Sequence, residues 1–179
     1  MANISVNDIT TSNETGTATF TVTLSEAVGS DVTVDFTTSN QTLNFTAADI
    51  ATSADGAKDV YVADMDGDGD LDVVSASYND NTIAWYENDG AANPSWTAFD
   101  IATSADGAWD VHVADMDGDG DLDIVSASRL DNTISWYEND GAADPSWSAT
   151  DITTSADWAR DVYVADMDGD GDLDIVSAS

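Results

Sequence analysis

The chain has 179 residues, 36 of them acidic and only three, Lys58, Arg129 and Arg160, lysine or arginine, for a formal net charge of −33. So few cations cannot neutralise phosphates, which excludes nucleic acid as a partner and disfavours anionic membrane surfaces. Apolar content of 42% places the chain in the globular range, and the absence of cysteine excludes disulfides and thiolate metal sites.

No apolar run reaches transmembrane length, so membrane insertion is not expected. The start, Met1-Ala2-Asn3-Ile4-Ser5-Val6, has neither a basic n-region nor an apolar h-region. If the protein is exported, the signal is missing from this chain or lies elsewhere. Residues 1–48 form the first segment, rich in Thr, Ser and Val. Thr17 to Leu24 alternates with period two, placing Phe20, Val22 and Leu24 on one face, and Asp31 to Thr38 does the same with Val32, Val34 and Phe36. With Gly29-Ser30 between them, the two runs predict a short β-hairpin. The stretches Gly16 to Ser25 and Val32 to Phe36 resemble the opening of a Calx-beta motif, a β-sandwich module of exchangers and large extracellular bacterial proteins. The resemblance covers roughly 35 residues, part of a module, and no metal ligand is carried over from it. Glu14 and Asp35 read as solvated strand-end residues.

From residue 49 the sequence becomes a tandem array. Asp64-Met65-Asp66-Gly67-Asp68-Gly69-Asp70-Leu71-Asp72 recurs unchanged at Asp115 to Asp123 and at Asp166 to Asp174, 51 residues apart each time. The units are 49–99, 100–150 and a truncated 151–179. The first two differ at nine positions, Lys58/Trp109, Tyr61/His112, Val73/Ile124, Tyr78/Arg129, Asn79/Leu130, Ala84/Ser135, Asn93/Asp144, Thr97/Ser148 and Phe99/Thr150, and the third differs from the second at four. Such a period marks a repeat architecture in which each unit needs its neighbours to bury a core.

Each unit predicts four strands. In the first these are Asp59 to Ala63 running into the acidic stretch, Asp72 to Ser77 leaving it, Thr82 to Glu87, and Trp96 to Ile101, with Asn79-Asp80-Asn81 and Asn88-Asp89-Gly90 as turns. Four strands without a helical period describe a propeller blade. The fold class expected is all-β: tandem four-stranded antiparallel propeller-type blades, an incomplete β-propeller, preceded by the short hairpin segment. Thr42 to Ile50 also reads as the fourth strand of a preceding unit. Two and a half blades fall short of a closed ring. The readings are a piece of a longer protein, which the abrupt stop inside a repeat favours, copies that self-associate to complete the propeller, or an open array.

Five carboxylates in nine residues repel one another unless a cation lies between them. Read as D-x-D-x-D-G-x-x-D, the loop follows the logic of calcium loops: alternating acids point inward, Gly at position 6 permits the turn, and position 7 offers its carbonyl. Asp64, Asp66, Asp68 and Asp72 are the side-chain candidates and Asp70 the carbonyl donor. An EF-hand would need Glu at position 12, where Ser75, Ser126 and Ser177 stand, and strands rather than helices flank the loop. All-oxygen donors in this number predict Ca²⁺ over Mg²⁺. The alternative of a solvated Asp/Gly turn does not explain three unchanged copies.

Val62 to Val74 and its copies resemble the FG-GAP/VCBS repeats, over about 130 residues. The resemblance implies β-propeller blades, as in integrin α-chains, with calcium in the loop between the first two strands. It implies as ligands Asp64, Asp66, Asp68, Asp70 and Asp72; Asp115, Asp117, Asp119, Asp121 and Asp123; and Asp166, Asp168, Asp170, Asp172 and Asp174. That is one Ca²⁺ per loop, three in total, in an extracellular or cell-surface protein of a bacterium.

A strand followed by Asp-x-Asp-Gly also opens haloacid-dehalogenase-type phosphotransferases. Those need one acidic loop and a distant Lys, whereas this chain has three identical loops and only Lys58. The sole histidine, His112, aligns with Tyr61 and Tyr163, so it reads as an interchangeable strand residue and not a base. No enzyme is expected. Trp85, Trp96, Trp136 and Trp147 recur at fixed positions and read as packing residues. Trp109 and Trp158 stand where the copies disagree, so the loops with Lys58, Trp109, Trp158 and Arg160 are the better surface for a protein or carbohydrate ligand. The function expected is a calcium-binding adhesion or interaction module. The alternative is a purely structural, calcium-stiffened spacer.

Overall fold

The computed structural model describes residues 4–6, 22–24 and 47–179. The chain divides into two compact units, Met1–Thr46 and Ala47–Ser179. In the first, β1 (Ile4–Val6) and β2 (Val22–Leu24) pair antiparallel, Ile4 opposite Leu24 and Val6 opposite Val22. The second strand expected for the hairpin, 31–38, lies outside the described residues, as do residues 7–21. Within them the partner of Val22–Leu24 is Ile4–Val6.

The second unit is all-β among the described residues. Its strands are β3 (Ala57–Ala63), β4 (Asp72–Ser77), β5 (Thr82–Asn88) and β6 (Trp96–Ala102), then β7 (Ala108–Ala114), β8 (Asp123–Ser128), β9 (Thr133–Asn139) and β10 (Trp147–Thr153), and last β11 (Asp161–Ala165) and β12 (Asp174–Ala178). The first four form one antiparallel sheet in chain order, the next four a second, and the last two a third. Two four-stranded sheets and a two-stranded one are consistent with propeller-like blades. Each strand expected within the three units is present: the first strands of the first two blades begin two residues earlier, their third and fourth strands end one residue later, and the rest agree to within a residue. Of the strand expected over Thr42 to Ile50, residues 42–46 lie outside the described residues, and Ala47 to Ile50 form no strand. A fourth strand needs the third strand of its own blade to pair with, and none precedes it among the described residues.

Alternation along the strands builds the core between blades. Val111 and Val113 of β7 turn one way and meet Met65, Val74, Ala76, Ile83 and Trp85 of the first blade in one buried cluster. Val125, Ala127 and Ile134 of the second blade meet Ala159, Val162 and Val164 of the third in another. Each fully buried aliphatic side chain contributes roughly 1.5–3 kcal/mol. The counterparts of Val111 and Val113 in the first blade show what the seam does: Val60 and Val62 are 58% and 52% exposed, against 3% and 5%. Trp85 is buried and stacks on Phe99 with centroids 4.8 Å apart, and Trp136 and Trp147 also pack on the cores. Trp96 is only half-buried, at the start of β6.

Polar bonds fix the register between blades. The Val111 N–H donates to Asp59 Oδ2 at 3.2 Å, and the Val162 N–H to Asp110 Oδ2 at 2.8 Å. Asn132, in left-handed conformation at φ 61°, accepts the Ala156 N–H at its carbonyl and the Trp158 N–H at Oδ1. Asn81 repeats this one blade earlier with Ala105 and Gly107. Asparagine tolerates positive φ and supplies the extra acceptor, which explains the Asn in both turns.

One of these seam groups titrates in an accessible range. Burial disfavours the Asp110 carboxylate, the Val162 N–H partly compensates, the Asp59 charge adds repulsion, and the pKa is pushed up to about 7. The folded state then binds this proton more tightly than the unfolded state. The resulting stabilisation is complete below about pH 4 and is lost as pH rises through 7. In saturating calcium, melting temperature is expected to fall between pH 5 and 8, and Asp110→Asn to flatten that slope. Because the Asp110 carboxylate is only partly buried, solvent screening should hold the difference at pH 8 to about 1 kcal/mol.

Candidate metal centres

Each acidic stretch is the loop between the first and second strands of a blade. Val60 to Ala63 and their copies bring the chain to the end of the sheet, and the buried second strand takes it back. The loop closes through its own carboxylates. Asp64 Oδ2 accepts the Gly69 N–H at 3.0 Å, Asp66 Oδ1 that of Asp68 at 3.1 Å, and Asp68 Oδ1 that of Asp70 at 2.8 Å. The same bonds recur in the second loop, Gly120 to Asp115, Asp119 to Asp117 and Asp121 to Asp119, and in the third, Gly171 to Asp166, Asp170 to Asp168 and Asp172 to Asp170. Gly67 and Gly69 have φ of 75° and 97°, with nothing within 4 Å of where a Cβ would stand. Backbone conformation, not space, requires glycine there.

Three carboxylates converge in each loop, with one oxygen of each within 4.8 Å of the others: Asp64, Asp66 and Asp72; Asp115, Asp117 and Asp119; Asp166, Asp168 and Asp174. Positions 1 and 3 are thus common to all three, joined by position 9 in the outer loops and by position 5 in the middle one. Asp68, Asp170 and Asp123 lie outside these groups. In the first two loops the side chains at position 7 turn elsewhere: a Cβ on Gly90 would overlap the Asp70 carboxylate, and one on Gly141 that of Asp121. That orientation leaves only the position-7 carbonyl for a loop ligand.

The donor set suits a hard cation. Every converging atom is a carboxylate oxygen, and Asp64 Oδ1 is buried without a hydrogen-bond partner among the described residues. An orphaned buried carboxylate oxygen is costly unless a positive charge meets it. Burial raises the Asp66 pKa, and the charges of Asp68, Asp72 and Asp64 raise it further against the bond from Asp68. Glu87, beside the loop, is raised by burial and then by Asp66, Asp72 and Asp68. A bound divalent ion removes this mutual repulsion.

Position 9 has a further role that spacing did not reveal. Asp72 and Asp123 are each 1% exposed, the first residues of buried strands. Asp123 accepts the Met116 N–H at Oδ2, 3.0 Å, and the Asn139 N–H at Oδ1, 2.8 Å. Asp72 does the same with Met65 and Asn88. Each carboxylate brackets its loop to the third strand of the blade. Asn139 Nδ2 continues the chain, donating to Leu122 O at 3.1 Å and across the seam to Met65 O at 3.0 Å. The visible signal was a carboxylate entering an apolar strand, Leu71-Asp72-Val73.

Elsewhere, His112 lies between Tyr61 and Tyr163, edge-on to both with centroids 5.3 and 4.8 Å apart. Burial lowers its pKa. Its surroundings make it one ring in a stack across β3, β7 and β11. Trp158 has φ 63°, a left-handed conformation that costs an ordinary side chain about 1–2 kcal/mol. The aligned positions hold Gly56 and Gly107.

A profile of the FG-GAP-like repeat matches residues 64–126 and again 116–177, each match running from one acidic loop to the strand beyond the next. No curated protein and no solved structure matches the chain. No helix among the described residues is long and apolar enough to cross a membrane. With matched residues spanning most of the blade array, the chain belongs to the FG-GAP-like repeat family.

Proposed function

We propose that the array is a calcium-binding interaction module of an extracellular or cell-surface protein, with one Ca²⁺ per acidic loop stiffening its blade. The observation that carries this reading is the convergence of three carboxylates in each loop, one with an orphaned buried oxygen. In the first loop Asp64, Asp66 and Asp72 would hold the ion, with the Asp70 carbonyl completing the set, and the copies would act alike through Asp115, Asp117 and Asp119 and through Asp166, Asp168 and Asp174. The remaining loop acids supply outer charge. Repeats of this family are typically non-enzymatic modules and usually extracellular, which supports the assignment. The Calx-beta-like character of the first segment fits the same setting. Calorimetric titration of metal-free protein is expected to show three calcium sites, with Mg²⁺ a weak competitor. A single weak, non-saturating heat would overturn the reading.

The spacer reading differs only in lacking a partner. It is disfavoured by what happens at the opposite end of the blades.

A further inference from the structure

We infer that the end of the array away from the acidic loops carries a binding site for an acidic glycan, a pyranose bearing carboxylate or sulfate; this rests on the interaction-module reading above. Lys58, Arg129 and Arg160 are all the lysines and arginines of the chain, and the fold gathers the three into one cluster with aromatic rings. Lys58 Nζ lies 5.4 Å from the Tyr78 ring and 5.3 Å from that of Trp109. The Arg129 guanidinium lies 5.0 Å from Trp109 and 4.4 Å from Trp158, and that of Arg160 lies 5.7 and 5.9 Å from the same two rings. Tyr78 meets Trp109 edge-on at 5.6 Å.

All six of these residues occupy positions where otherwise near-identical copies differ: Lys58, Trp109 and Arg160 share one position, Tyr78 and Arg129 another, and Trp158 replaces Gly107. The charged and tryptophan exchanges among these near-identical copies therefore meet on this one surface. The backbone is shaped to present it. Lys58 and Trp109 each sit at a β-bulge, between the pairs Ala57/Ser77 and Asp59/Ala76 and between Ala108/Ser128 and Asp110/Ala127. Bulges redirect a side chain out of the sheet's alternation. Trp158 holds an unfavourable backbone conformation where its sisters use glycine, and its side chain is 56% exposed. Strain retained at an exposed aromatic residue points to use.

Three cations packed together repel one another, and Arg129 Nε is buried without an acceptor among the described residues. An anion satisfies both. The exposed Trp158 indole adds a surface for the apolar face of a sugar ring, which an acidic peptide does not need. The overall negative charge does not forbid this. A seven-residue first strand separates the cluster from the acidic loop by roughly 20 Å, more than twice the screening length of about 8 Å at physiological salt. At this end of the blades the carboxylates of Asp80 and Asp131 each accept a backbone N–H, from Asp55 and Asp106.

The test uses the full chain in saturating calcium with oligogalacturonate, dextran sulfate, neutral dextran and poly-glutamate. Binding of one or both acidic glycans, with neutral dextran at least tenfold weaker, is expected; which of the two binds distinguishes carboxylate from sulfate. The decisive variants borrow from the sister repeats. Trp158→Gly should leave melting temperature unchanged or higher while weakening binding at least tenfold, and Arg129→Tyr should abolish the preference for acidic over neutral glycan. Trp158→Gly that destabilises the protein and leaves binding intact would overturn the proposal, assigning the cluster to packing. Equal or stronger binding of poly-glutamate overturns the glycan assignment while keeping the interaction module. No binding of any probe, with three calcium sites still titrating, overturns this site alone; loss of the calcium sites as well sinks the underlying reading.

Discussion

Chelating calcium is expected to lower the melting temperature by at least ~10 °C. The carboxylates of each loop are held together by the local sequence, and without an ion their repulsion and the buried Asp64 oxygen oppose the folded state. A site saturated a thousandfold above its dissociation constant stabilises by about 4 kcal/mol. For a chain of this size each kcal/mol moves the transition by about 2–4 °C. One such site therefore accounts for about 10 °C, and three for more. The first and second loops also share a seam through Asn139 and Met65, so losing ions should loosen contacts between blades as well as within them. Melting curves in excess Ca²⁺ and in excess chelator test this, with Mg²⁺ expected to restore little. Superimposable curves would remove calcium from the account of this fold.

Asp123→Ala is expected to cost about 2–5 kcal/mol, and most of that cost should persist in chelator. The side chain accepts two backbone N–H groups in a buried position, and each donor left unsatisfied costs about 1–3 kcal/mol. Asp117→Ala, at an exposed position in the same loop, should instead lose only the calcium-dependent part of stability. Denaturant unfolding of both variants with and without calcium separates the roles. If the Asp123→Ala cost disappears in chelator, the bracket is not structural and position 9 acts only through the ion. Asn139 sits behind Asp123 and ties it to the neighbouring blade, so a variant there should show the same insensitivity to calcium at smaller size.

The repeat period, the four strands per unit and the acidic loop between the first two strands were all determined by sequence alone. Each depends on local pattern: alternation at period two in Val60 to Ala63, Asn-rich turns, and glycines at positions that need positive φ. These preferences act within a few residues, so they are legible without the fold. That five acids of one colour in nine residues call for a cation is equally local.

Tertiary structure decided which acids share a centre. Alternate loop residues can all point inward in principle, yet Asp70 and Asp121 turn toward Gly90 and Gly141, contacts about 20 residues away in the chain. It also turned Asp72 and Asp123 into brackets, because their partners, Asn88 and Asn139, are brought near only by strand pairing. The cation–aromatic cluster is the clearest case. Sequence marks Lys58, Trp109, Trp158 and Arg160 as places where the copies disagree, but not that residues 51 apart meet, nor that Tyr78 and Arg129 join them. Packing of successive blades side by side superimposes equivalent positions in space, so differences between copies become neighbours on one surface. Local chemistry wrote the loop; stacking of the repeats assembled the face.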